Sequence, residues 1–247
     1  MALFTDGPAC TIDDLVAEDS GLLETAQTVG INVTSKLKLA VSEVQSELTT
    51  LLAKLQPTPA VNQVVVTTDL ARWEKMQALA MVYRDAAYTQ LIDRYKSKWD
   101  MFVKLTCAAK DQFTVNGVGL VNDPLPKAEL PVLGTIPADS QSGGTFYACV
   151  AWVNAAGQEG GPSDAGSIVV PANNAMTVMA SDAPANATGF NVYAGTVLAM
   201  LTLQNTTPVG PGGSFTYVPG GSSSSKTPGT GQAPDSFKML PATTQRG

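Results

Sequence analysis

Four acids crowd the start of this chain: Asp13, Asp14, Glu18 and Asp19. A carboxylate cluster of this kind could take a metal ion. Acids in the first turn of a short helix also complement its dipole, and that reading is preferred. No histidine occurs anywhere. This removes the commonest general base, the Ser-His-Asp and Cys-His pairings, and the commonest transition-metal ligand. Cys10, Cys107 and Cys149 are odd in number, far apart and in no CxxC arrangement, so they read as buried or incidental thiols rather than a disulfide framework or zinc site. The glycines at Gly157, Gly160-Gly161, Gly210 and Gly212-Gly213 lie between expected strands, not between a strand and a helix, which argues against a phosphate loop. Asn32-Val33-Thr34, Asn186-Ala187-Thr188 and Asn205-Thr206-Thr207 match the glycosylation sequon. The opening MALFTDGPAC does not read as a secretory signal, so the three are taken as chance. No catalytic, cofactor or metal site is assigned, and the expectation is a protein that is not an enzyme.

The elements that would have to position any site fall into two halves. Residues 1–126 hold 11 of the 15 Lys and Arg and 15 of the 21 Asp and Glu; beyond them the chain turns rich in Gly, Ser, Thr, Asn and Pro. A composition switch of that kind marks a domain boundary, and 247 residues suffice for two domains. No apolar run is long enough for a membrane span, so a soluble chain is expected.

Thr11 to Leu15 carries a weak capping-box signal for a short helix, followed by another from Leu22 to Thr28 that Gly30 stops. Leu37, Val41, Val44, Leu48, Leu51 and Leu55 then recur at alternating steps of four and three, the stripe of a packed helix ending before Pro57. Val61 to Val66 reads as extended or as the entry to the next helix. From Thr67 to Asp111 no Gly or Pro interrupts, and Trp73, Met76, Ala80, Tyr83, Ala87, Leu91, Tyr95, Trp99 and Phe102 lie on one helical face. Thr68 or Asp69 is the expected N-cap. As one helix this stretch would be roughly 60 Å long, unless it breaks near Tyr88-Thr89-Gln90. Its second half is basic, with Arg94, Lys96, Lys98, Lys104 and Lys110, and Asp100 is spaced to pair with Lys104.

Four prolines between Asp123 and Pro137 predict a stiff connector. Strands are expected at residues 145–153, 167–170, 175–180, 189–194, 199–203 and 215–218, separated by turn residues, which argues an antiparallel sandwich. The predicted architecture is therefore α+β. It comprises a helical domain over 1–122, a connector over 123–137, a β-sandwich over 138–219 and a Gly/Ser-rich extended tail over 220–247. Such a tail has no core of its own. It needs its own domain or, the preferred reading, a neighbouring subunit to lie against.

The run TIDDLVAEDSGLLETAQTVGINVTSKLKLAVSEVQSELTTLL and the later MVYRDAAYTQLIDRYKSKWDMF resemble the head-to-tail adaptor (neck) proteins of tailed bacteriophages, over roughly residues 1–122. Leu91-Ile92-Asp93-Arg94-Tyr95 with Lys98-Trp99 carry that likeness. FYACVAWVNAAGQEGGPS and ATGFNVYAG are similar to fibronectin type III or immunoglobulin-like modules. The resemblance implies a virion protein: a dodecameric ring between portal protein and tail or nozzle protein, through which genomic DNA passes without sequence-specific binding. Neither a membrane nor a cofactor enters that picture. Contacts with the portal or a neighbouring copy would fall on Phe237, Met239, Leu240, Trp73, Tyr95 and Trp99. The rival readings are a capsid-decoration or baseplate protein that uses its sandwich to recognise a host glycan or protein, and a carboxylate-dependent glycan hydrolase.

Overall fold

A computed structural model describes residues 1–89, 93–139, 141–219 and 224–240. Leu91 of the expected helical face, and residues 220–223 and 241–247 of the tail, lie outside the described residues. The protein is α+β, with five α-helices and antiparallel sheets among the described residues. It divides into two compact units, each built from separated parts of the chain. One comprises Met1–Asp6 with Asn122–Ala233; the other comprises Gly7–Val121 with the chain from Pro234 on.

The second unit is helical. Helix α1 (Ile12–Glu18) starts with a capping box: the Thr11 hydroxyl accepts from the Asp14 amide, and the Asp14 carboxylate accepts from the Thr11 amide at 2.7 Å. Helix α2 (Leu22–Val29) ends on Gly30 in the left-handed conformation. Helix α3 (Val33–Leu52) is capped by Asn32 and buries Leu37, Ala40, Val44, Leu48, Leu51 and Leu52, so Leu55 of the expected stripe lies past its end.

The long stretch is two helices, not one. Helix α4 (Thr68–Thr89) is followed by a 3-10 turn (Asp93–Tyr95) and α5 (Lys96–Asn116). They run antiparallel, as the ring pairs show: Trp73 meets Phe113 at 5.6 Å, Tyr83 stacks on Phe102 at 5.4 Å, and Tyr88 meets Trp99 at 5.4 Å. Helix α4 ends at Thr89, at the alternative break, and the apolar period continues past it because both arms present their aromatic faces to each other. Folding back buries those faces, which a single straight rod would leave in water. Helix α4 is buried on most sides, packed by α1, α2, α3 and α5. Its first turn is capped one residue earlier than expected, by Thr67, whose hydroxyl accepts from the Leu70 amide at 3.4 Å.

Gly117 ends α5 at φ +86, and a Cβ there would meet the Lys238 carbonyl at 2.7 Å. The position thus requires glycine twice over, for its dihedral and for the close approach of the tail. Strand β1 (Val118–Leu120) follows and pairs antiparallel with β9 (Ser236–Lys238), the last described strand. Val64, which follows a 3-10 turn at Val61–Gln63, bridges to Leu120 on the other side.

The first unit holds two sheets. β2 (Val132–Pro137), β5 (Asn174–Met179) and β8 (Ser214–Tyr217) form a three-stranded sheet in the order β2-β5-β8. β3 (Gly144–Asn154), β4 (Gly166–Val170), β6 (Ala187–Gly195) and the short β7 (Thr202–Leu203) form another in the order β4-β3-β6-β7. One core serves both: Phe146, Val150 and Trp152 from β3 and Phe190 and Val192 from β6 share it with Met176, Val178 and Tyr217. Two expectations are corrected here. The end of the Pro-rich connector is a strand, with Pro131 just before β2 and Pro137 at its last residue, where a missing amide is tolerated. Residues 198–200 form a 3-10 turn, leaving only Thr202–Leu203 as strand.

Candidate functional site

The six residues expected at an interface fall in three places. Trp73 and Trp99 line one groove of about 340 Å³ in the helical unit, with Met81 and Arg84 of α4, Val103 and Cys107 of α5, and Glu47 of α3. α4 is the floor; α3 and α5 are the walls. A second hollow of about 470 Å³ continues the seam along Thr50, Leu51 and Lys54 to Thr114 and Val115. The Glu47–Lys110 ion pair lies where the two meet. Trp73 is buried against Phe113, whereas Trp99 is half-exposed and Val103 exposed. Tyr95 is elsewhere, buried beside Tyr83 with ring centroids 6.2 Å apart.

Phe237 belongs to the β1–β9 ribbon, and Met239 and Leu240 follow it. Phe237 lies opposite Gly119 and is 57 % exposed, Met239 is 66 % exposed, and Leu240 is buried. Leu240 thus anchors the tail within its own chain, while the other two offer apolar surface. The earlier part of the tail is also held intramolecularly. The Ser224 amide donates to the Leu203 carbonyl, the Leu203 amide to the Lys226 carbonyl, and the Gln232 side chain bonds the Leu125 amide and the Asp123 carbonyl.

The N-terminal acids do not form one cluster. Asp14 caps α1, Glu18 pairs with Lys75 at 2.9 Å, and Asp19 receives Lys98 Nζ at 2.7 Å and the Tyr83 hydroxyl at 2.5 Å. Burial alone would raise Asp19, but the Lys98, Tyr83 and Gly21 donors outweigh it and hold the carboxyl below its usual range. Tyr83 is shifted up, by burial and then by its bond to Asp19. On the basic face, Asp100 takes Lys96 as its i,i+4 partner at 3.5 Å. Among the described residues, no group of three or more His, Cys, Asp and Glu is set to hold a metal.

Sequence reasoning missed two charged centres. Glu159, read only as part of a turn, accepts from Asn191, the Tyr193 hydroxyl and Lys226 Nζ. Burial would raise it, yet these three donors bring it below the usual carboxylate value. Glu74, on the inner side of α4, is wholly buried. Its burial had no local sequence signal, since Arg72, Lys75 and Gln77 surround it in the chain. On the sheet unit, a cleft of about 510 Å³ is lined by residues 204–209 and 215–218.

No protein-family model matches this chain, and no curated protein matches it. Among the described residues, no helix is long and apolar enough to cross a membrane.

Proposed function

We propose that the chain is a structural virion protein of tailed bacteriophages, a head-to-tail adaptor that assembles as a ring between portal and tail and lets DNA through without reading its sequence. The observation that carries this reading is the groove left open between α3 and α5, where Trp99 is half-exposed and Val103 exposed along a helical hairpin. Aromatic and aliphatic side chains left open in a groove of a helical unit suit contact with another protein better than solvent. The role is one of assembly, not catalysis, and its place is the neck of the virion. The sheet unit is read as a fibronectin type III or immunoglobulin-like sandwich. Supporting this are the crossed pairings β2–β5 and β3–β6, the relation that strands B and E, and C and F, have in that fold. Strand β8, beside β5, departs from the simplest version of that order.

Native mass spectrometry and negative-stain imaging of the purified chain, alone and with portal protein, test the proposal. A closed ring that docks on the portal is the expected result; a strict monomer that ignores the portal overturns it. The cleft at residues 204–209 and 215–218 favours a second reading, recognition of a host glycan or protein through the sheet unit. Glycan-array binding by the intact chain, lost on substitution of Thr207 or Thr216, would favour that alternative.

A further inference from the structure

Glu74 has no solvent exposure at all (0 %). Its Oε1 accepts from the Ala9 amide at 2.7 Å and lies 3.7 Å from the Cys10 sulfur. Oε2 is buried and has no hydrogen-bond partner. An ionised carboxylate so enclosed is costly unless a cation or further donors reach it. Several charged groups on the surrounding elements are committed elsewhere. Lys75 of α4 pairs with Glu18 of α1, Asp14 of α1 bonds Thr11, Lys98 of α5 holds Asp19, and Lys110 of α5 pairs with Glu47 of α3. Arg72 lines the outer hollow that Ala9, Cys10, Asp14 and Lys75 share.

The bonds from Glu74 go to the stretch with which the chain enters the helical unit, just after Gly7. We propose that Glu74 is an acid-set latch on this segment: the neutral carboxyl keeps residues 8–10 docked on α4, and ionisation drives them off. Burial raises Glu74 from its ordinary 4.5 to about 7, against the opposing pull of the Ala9 and Cys10 donors. An undocked Glu74 reaches water and regains ordinary acidity, so docking takes up a proton between those two values. Undocking is therefore suppressed in acid, grows as pH rises from about 4.5 to about 7, and levels off above that, where both states are ionised.

Amide hydrogen exchange at Ala9 and Cys10, expressed as protection relative to an unstructured peptide, reads this directly. Protection is expected to fall about five- to sevenfold per pH unit, roughly fortyfold between pH 5 and pH 7. In Glu74→Gln, which keeps an acceptor for the Ala9 amide and does not ionise, it is expected to stay flat. Equal protection at the two pH values in the unaltered protein, or the same fall in Glu74→Gln, overturns the proposal. Should that variant fail to fold, a carboxyl ¹³C titration of Glu74 in the intact chain decides: a midpoint near 7 supports the latch, and one near 4.5 sinks it.

Discussion

Asp19 and Glu74 sit on neighbouring parts of one helical unit and titrate in opposite senses. Asp19 is held below its ordinary 3.8, so its contribution to stability is complete above that value and is lost as pH falls through the lower folded value. Glu74 is held above its ordinary 4.5, so its contribution is complete below 4.5 and is lost as pH rises to about 7. The helical unit should therefore be most stable in mildly acidic solution, between these two flanks. Thermal unfolding followed by helical circular dichroism from pH 3 to pH 8 checks this; a maximum at or above neutrality would contradict it. Replacing Asp19 with Ala strips the Tyr83 hydroxyl and Lys98 of their shared acceptor. A loss of about 1–3 kcal/mol is expected, as for other buried hydrogen-bonded groups, measured by urea denaturation. The identities of both acids were plain in the sequence. Their partners were not, because Asp19 meets residues 64 and 79 positions away, and spacing along a chain carries no record of such contacts.

At the scale of elements, local chemistry was the readable part. The Thr11–Asp14 box, the glycine after α2 and most of the strands follow from side chains a few residues apart. A break near Tyr88-Thr89-Gln90 was one of two readings of the long stretch, and α4 ends at Thr89; that the chain reverses there was not legible, since no Gly or Pro marks it and the apolar period runs straight through. Nor was β2 or β9: β2 lies in a Pro-rich stretch and β9 is three residues long, and each is defined by a distant partner, β5 or β1. The groove was half legible. Trp73 and Trp99 were picked from one helical stripe, yet they face a common space only because the stripe folds back on itself. Substituting Val103 with Asp places a charge on the uncovered wall of that groove without touching the buried face of α5. If the groove is where copies meet, Val103→Asp should abolish assembly, by native mass, while helical circular dichroism stays unchanged. A ring that forms as before would exclude the groove from the interface.

For the whole molecule, the path of the chain does not follow composition. Met1–Asp6 belongs with the sheets, and the chain from Pro234 on belongs with the helices. Lys226, which meets Glu159 at 2.5 Å, is one of the residues that hold the tail on the sheet unit before it reaches β9. Lys226→Ala should speed proteolysis within residues 224–233 at least several-fold while leaving the core strands resistant, as mapped by limited digestion and mass spectrometry. An unchanged cleavage pattern would mean that the backbone bonds at Leu203 suffice. The β1–β9 ribbon carries a further consequence. A single nick beside Asn122 would not yield two independent proteins, because the downstream fragment carries a strand that completes the upstream one. The halves should co-purify after such a cut and separate only on denaturation, and two separately expressed pieces divided there should complement each other as the parts of a split protein do.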